Sequence, residues 1–277
     1  MNLRLKIKER LEFLGTTPKR SLGQNFLIDE AVATKIIDVA KSSTCDLYIE
    51  IGPGLGSLTD GLLNLGRPLI LIELDRALAQ FWRDRGLTMV EGDALKLSWS
   101  DLPLANSACL VSNLPYQIST HLVVERSVGP QEINEMILMF QKEVAQRLTA
   151  SPKSKEYGML SVMAQSYWAI TQVGNVGPKS FVPSPKIASR VLRFYRRQDC
   201  PRDAKNYLKF LKAAFSQRRK LIWKNLSGEA IKYRCSPSQL VALGENLGLG
   251  SRLRAEELSI QAFEKLYYEL CKKRDGL

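Results

Sequence analysis

Glu50-Ile51-Gly52-Pro53-Gly54-Leu55-Gly56 follows an apolar run and leads into helix-forming sequence. Glycines so placed let the backbone turn tightly and approach a ligand closely, beside the positive end of the next helix. A dinucleotide fingerprint, G-x-G-x-x-G, would need glycine at 57, where the chain has Ser57. Glu73 ends the next apolar run, 21 residues after Gly52, where a carboxylate can accept from both hydroxyls of a ribose. Asp93, in Glu91-Gly92-Asp93-Ala94, ends the third run and can accept from the amino group of an adenine. Taken singly, each acid also suits a solvated strand end or a helix N-cap. Three such motifs at the carboxyl ends of consecutive strands mark where open α/β sheets bind ligands.

Asn113-Leu114-Pro115-Tyr116 follows the fourth run and points to a reaction. An exocyclic adenine amine is a poor nucleophile because its lone pair is delocalised into the ring. Two acceptors aimed at its hydrogens, the Asn113 side-chain oxygen and a backbone carbonyl around Leu114 or Pro115, favour a pyramidal nitrogen and free that lone pair. Pro115 fixes the turn and has no N–H to compete. Tyr116 offers a ring on which the base can stack, with a face that tolerates a nearby cation. The same tetrapeptide also suits an Asx-Pro turn, so it gains its meaning from the glycine motif before it.

The elements that must position these residues read as an α/β fold. Apolar runs at 46–52, 68–75, 88–93, 108–114 and 135–140 suit strands buried on both faces of a mostly parallel sheet, with crossover helices at 57–66, 75–85 and 141–150. Further strands are expected at 167–173 and 189–195, joined by a Gly/Pro-rich loop at 173–186. After Arg197 the texture becomes helical, with Leu208, Leu211, Phe215 and Ile222 at helical spacing. A domain of residues 1–198 followed by a small basic helical domain of residues 199–277 is therefore expected.

Composition bounds the class. With 45% hydrophobic and 25% charged residues, the 277-residue chain is an ordinary globular sequence. No window approaches ~18 uninterrupted apolar residues, and the N-terminus intersperses charges where a secretory signal would be apolar. Five scattered cysteines and a single histidine, His121, give neither a disulfide framework nor a readable metal site. A soluble, cytosolic, monomeric protein is expected. Of the formal charge of +12, the 79 residues from Asp199 carry +7, with 16 basic and 9 acidic residues. Such an excess attracts polyanions, nucleic acid first.

The glycine spacing resembles the first motif of S-adenosylmethionine-dependent methyltransferases, and N-L-P-Y after G-P-G-L-G resembles the N6-adenine methyltransferases. Further motifs narrow the resemblance to the ribosomal RNA adenine dimethyltransferases of the KsgA type. They are Ser21-Leu22-Gly23-Gln24-Asn25-Phe26-Leu27, the loop from Phe181 to Ser189 (F-x-P-x-P, with Ile187 in place of valine), Phe215-Ser216-Gln217-Arg218-Arg219-Lys220 and Arg254-Ala255-Glu256-Glu257-Leu258-Ser259. The resemblance spans about Lys19 to Ser259. It implies a Rossmann-like seven-stranded methyltransferase sheet, its sixth and seventh strands antiparallel, with an appended helical domain. It implies S-adenosylmethionine contacts at Asn25, Leu27, Gly52, Gly54, Glu73, Asp93 and Asn113, and a catalytic group of Asn113, Leu114, Pro115, Tyr116 and Phe181, with Phe181 and Tyr116 sandwiching the target adenine. The implied substrate is two adjacent adenosines near the 3′ end of small-subunit ribosomal RNA, each methylated twice in an assembling small subunit. An Erm-type large-subunit methyltransferase shares the glycine loop and the Asn–Pro–aromatic motif, but the F-x-P-x-P loop and the R-A-E-x-L-S tail favour the small-subunit reading. A non-catalytic RNA-binding assembly factor is the rival from another class; it would need neither the strand-end acids nor the N-L-P-Y turn.

Overall fold

The computed structural model describes residues 2–104 and 106–275. Its strands are β1 (Phe26–Leu27), β2 (Leu47–Ile51), β3 (Leu69–Glu73), β4 (Thr88–Glu91), β5 (Ala108–Asn113), β6 (Ile133–Gln141), β7 (Trp168–Val176), β8 (Phe181–Val182) and β9 (Ser189–Arg196). Seven of them form one sheet in the order β4-β3-β2-β5-β6-β9-β7, and β1 pairs with β8 in a separate two-stranded ribbon. β4, β3, β2, β5 and β6 pair in parallel, while β9 runs antiparallel to β6. Every residue of β2 and β3 is buried, as continuous apolar runs covered on both faces should be. The chain moves outward from β2 to β4 and then returns to place β5 on the other side of β2. Strand order thus reverses between β2 and β5, whose carboxyl ends carry Gly52 and Asn113, and such a switch point opens a crevice.

Several local expectations are corrected. β4 is an edge strand in which Met89 and Val90 are half-buried and Thr88 and Glu91 exposed, so it is not buried on both faces as expected. The helix expected at 57–66 is confined to Thr59–Leu63, and Ser57 does not cap it. The expected loop at 173–186 begins with the last turn-free residues of β7, up to Val176, and contains β8. The helical spacing that joins Leu208, Leu211, Phe215 and Ile222 divides between helices Ala204–Ala214 and Ile222–Ala230. In the first of these Tyr207, Phe210, Leu211 and Ala214 are buried, whereas Leu208 is half-buried. A helix at Leu3–Phe13, opened by the Asn2 side chain accepting from the Arg4 N–H, had no expectation attached to it.

The chain forms two compact units: Met1–Ala145 with Ile170–Arg196, and Gln146–Ala169 with Arg197–Leu277. The change of texture places a boundary at 198/199; the second unit also takes in 146–169. Helix Met159–Tyr167 in that segment buries seven of its nine residues and packs on helices Ala204–Ala214 and Ile260–Asp275. A helix apolar nearly all round is satisfied only among other helices.

Candidate active site

Gly52, Gly54 and Gly56 all have positive φ, at +65°, +53° and +85°. Space is as decisive as conformation. A Cβ on Gly54 would sit 2.9 Å from the Phe26 ring, so the missing side chain is what lets the 21–27 segment lie across the loop. A Cβ on Gly56 would meet Arg10, Trp82 and Asp60, and Gly56 does not line the cleft beside the loop. The third glycine therefore serves packing rather than a ligand. Ser57, the residue that breaks the dinucleotide pattern, donates its hydroxyl to the Leu27 carbonyl at 2.6 Å and fastens the loop to β1.

That cleft, about 1230 Å³ with its open mouth, is lined by Asn25, Leu27, Gly52, Gly54, Glu73, Asp93, Asn113, Leu114, Pro115 and Tyr116. Segments far apart in sequence are thus brought to one place. Phe181 is not. It is 2% exposed, pairs in β8 with Leu27 of β1, and packs in the hydrophobic core behind that ribbon. The expected sandwich of a base between Tyr116 and Phe181 is not present in this arrangement, because an aromatic ring next to an apolar ribbon gains more from burial than from exposure at a polar mouth.

Glu73 is buried. Its Oε1 accepts from the Leu74 and Asp75 N–H groups, both at 2.9 Å, and its Oε2 from the Gly54 N–H at 3.3 Å. Burial pushes its carboxyl above the ordinary range, and the three backbone donors from Asp75, Gly54 and Leu74 oppose that shift. Glu50, also lining the cleft, is 2% exposed, and its Oε2 has no hydrogen-bond partner among the described residues. Burial pushes this carboxyl up to about 8; the Thr59 hydroxyl works against the shift, and Asp60 and Glu73 add to it. Asp93 is partly exposed and accepts from the Leu95 N–H at 3.0 Å.

A latch closes the N-terminal side. Lys19 Nζ lies 2.8 Å from Asp75 Oδ2, Gln24 Nε2 donates to the same oxygen at 3.0 Å, and the Lys19 N–H donates to Gln24 Oε1 at 2.8 Å. Burial would raise Asp75, but the bonds from Lys19 and Gln24 and the lysine charge outweigh it and hold the carboxyl below its usual range. The sequence reading missed Glu50, Lys19 and Asp75. Glu50 stands inside the glycine motif itself, so its position was the available signal; the Lys19–Asp75 pairing spans 56 residues and has no local signature.

In the N-L-P-Y turn, Asn113 donates from Nδ2 to the Asn25 carbonyl at 3.1 Å. One of the two amide N–H groups is thereby held by the backbone, which orients the side chain and leaves Oδ1 to accept from a ligand. The Pro115 carbonyl accepts from the Ile118 N–H at 3.2 Å as helix Tyr116–Val128 begins. Tyr116 is fixed by a 2.7 Å hydrogen bond between its hydroxyl and Ser189 Oγ. Burial raises its phenol, eased by Ser189, so it stays neutral. His121 lies on the exposed side of the same helix and does not line the cleft.

S-adenosylmethionine presents an ammonium, a sulfonium, ribose hydroxyls and an adenine amine. The residues fit it: Glu50 holds an unpartnered carboxyl oxygen, Glu73 keeps one acceptor position of about four unfilled, and Asp93 and the Asn113 oxygen add further acceptors. The family described as ribosomal RNA adenine dimethylase matches residues 15–267. The chain belongs to that family. Membership makes it an S-adenosylmethionine-dependent ribosomal RNA adenine dimethyltransferase. A protein named ribosomal RNA small subunit methyltransferase A from Bdellovibrio bacteriovorus is 47% identical over 264 residues, 95% of this chain and 96% of that protein. A solved dimethyladenosine transferase from Plasmodium falciparum matches with a TM-score of 0.76 and 25% identity, over 90% of this chain and 98% of its own. The 23S rRNA methyltransferase ErmE shares the fold at a TM-score of 0.65 and 23% identity, over 89% of this chain and 100% of its own.

The helical unit of this dimethylase presents the basic motif of residues 215–220 on a turn between two helices. Arg218 is ion-paired with Glu256 and donates to the Lys155 carbonyl at 3.0 Å. Arg219 and Lys220 are exposed and have no side-chain partner among the described residues. No described helix is long and apolar enough to cross a membrane.

Proposed function

We propose that this dimethylase methylates, twice each, the N6 amines of two adjacent adenosines near the 3′ end of small-subunit ribosomal RNA, within an assembling small subunit. The observation that carries the chemistry is the Asn113 amide in the cleft wall, which donates from Nδ2 to the Asn25 carbonyl and keeps its oxygen as an acceptor. Asn25, Leu27, Gly52, Gly54, Glu73 and Asp93 hold the cofactor. When bound, S-adenosylmethionine supplies an electrophilic methyl group. Asn113 Oδ1 and the Leu114 carbonyl accept hydrogen bonds from the two N–H groups of the adenine amine, since the Pro115 carbonyl is already engaged by Ile118. Their pull favours the pyramidal nitrogen and directs its lone pair out of the ring plane. Tyr116, held by Ser189, supplies the stacking face. The amine needs no prior base, because its proton leaves more readily once the nitrogen carries the methyl group.

A relative named small subunit methyltransferase A, at 47% identity and near-complete coverage, supports the small-subunit target over the large-subunit one, for which the likeness is one of fold. The Asn113–Asn25 bond and the strand-end acids support an enzyme over a pure RNA-binding factor, which needs neither. The reading carries with it a monomeric enzyme of the cytoplasm.

Asn113→Ala tests the chemistry. Acceptors aimed at the amine matter most as nitrogen becomes positive, so their stabilisation is greater in the transition state than in the ground state. With RNA and cofactor both saturating, single-turnover methylation is expected to fall by about a hundred- to a thousandfold, while RNA affinity is retained. Cofactor affinity is measured separately, because Asn113 also borders that part of the cleft. A rate near wild type would refute the role of Asn113.

A further inference from the structure

In a glycine-rich loop that turns beside a cleft, carbonyls directed away from the cleft must find donors behind it. Trp82 Nε1 donates to the Gly54 carbonyl at 2.9 Å, and Arg10 Nη1 donates to the Leu55 carbonyl at 2.7 Å. Neither Trp82 nor Arg10 lines the cleft, so both carbonyls are held outside it. Arg10 comes from helix Leu3–Phe13, ahead of the residues 15–267 that match the dimethylase family. Its guanidinium is fixed on every side. It makes a bidentate pair with Asp60, 2.9 Å to Oδ2 and 3.2 Å to Oδ1, on the helix that the loop opens. It also lies over the rings of Phe81 and Trp82, at 5.5 and 5.3 Å from their centroids. Gly56 leaves the room: a Cβ there would stand 2.2 Å from Arg10 Nη1. The third glycine of the motif and an arginine 46 residues earlier thus form one device.

We infer that Arg10 is a positioning residue for the S-adenosylmethionine site, which together with Trp82 ties the Gly54 and Leu55 carbonyls back and so fixes the course of the loop along the cleft. The inference rests on the cofactor reading of the cleft. A planar fork suits the task, since it spans a carbonyl and a carboxylate at once and stacks on aromatic rings.

The test is calorimetric titration of the full chain with S-adenosylmethionine, together with steady-state methylation. Arg10→Met keeps an apolar stem on the two rings and removes the donors. It is expected to weaken cofactor binding and raise the cofactor KM about tenfold, the loss of a charge-assisted hydrogen bond, while kcat at saturating cofactor stays within about twofold of wild type. Lys6→Met removes the other cation on Asp60, 2.6 Å away, without touching a loop carbonyl, and is expected to leave affinity unchanged. Trp82→Phe releases the Gly54 carbonyl but keeps a ring in the core, and gives the same readout by a second route if Arg10→Met does not fold. A folded Arg10→Met protein with a lowered Tm but wild-type Kd and KM would overturn the inference and make Arg10 a brace of the fold alone. Failure of the wild-type chain to bind S-adenosylmethionine would instead overturn the cofactor reading.

Discussion

Glu73 has three of its roughly four acceptor positions filled by its own backbone before any ligand arrives. The carboxylate therefore does two things: it locks the Gly54 N–H into the loop, and it keeps one acceptor for a ribose hydroxyl. Glu73→Ala is expected to weaken S-adenosylmethionine binding by ~1.5–3 kcal/mol, the range for a hydrogen bond to a charged group; calorimetry on folded protein showing unchanged affinity would remove Glu73 from the site. Glu50 makes a different prediction. Its carboxyl stands at about 8 in the folded chain against an ordinary 4.5, so between these values the folded state holds a proton that the unfolded chain has lost. Its contribution is fully present at low pH and declines as pH rises from about 4.5 to about 8. Glu50→Gln should flatten the fall in Tm across that window, and a pH–Tm profile parallel to wild type would contradict the assignment. The motif residues at these positions were legible in the sequence because type and spacing announce them. Burial is a tertiary property and was not, which is why Glu50 passed as part of a turn and Phe181 was placed at the base instead of in the core.

At the scale of elements, the strands of the sheet were readable because buried parallel strands are continuous apolar runs with polar punctuation. What escaped is held by contacts of long range. Ser57 reads as the start of a helix, yet bonds to Leu27, 30 residues earlier. Phe181 and Val182 read as loop, yet pair with Leu27 and Phe26. The helix Leu3–Phe13 has a weak amphipathic stripe, with Leu3 and Ile7 its buried residues, so its main anchor, Arg10, looks like one more surface charge. The turn after helix Ala204–Ala214 shows the opposite outcome for three basic residues that look alike in sequence. Arg218 is spent on Glu256, while Arg219 and Lys220 are exposed. Arg219→Glu with Lys220→Glu is therefore the sharper charge reversal. It should weaken binding to small subunits and reduce the slope of log affinity against log salt by roughly 1.4–1.8, if each residue meets a phosphate, with the free-cofactor Kd unchanged. An unaltered slope would make this turn a solvated surface.

Across the whole molecule, charge is divided more sharply than the sequence boundary suggested. The unit of Gln146–Ala169 and Arg197–Leu277 holds 20 basic and 10 acidic residues, a net +10, whereas the sheet unit holds 20 and 18, a net +2. The basic motif at 218–220 belongs to the first of these and the acceptor-lined cleft to the second. Chemistry that requires carboxylates and amide oxygens, and affinity for a polyanion that requires their opposite, are thus assigned to different units of one chain. Such a division suits an enzyme whose substrate is a large folded RNA, in which phosphate contacts supply affinity and a local pocket supplies selectivity. The most direct measurement is methyl transfer by the purified protein, with S-adenosylmethionine, to small and large ribosomal subunits that lack the modification, with the methylated nucleotides mapped by mass spectrometry. N6,N6-dimethyladenosine is expected at two adjacent positions near the 3′ end of the small-subunit RNA, and none in the large subunit. Methylation confined to large-subunit RNA, or no transfer to either by a protein that binds the cofactor, would contradict that expectation.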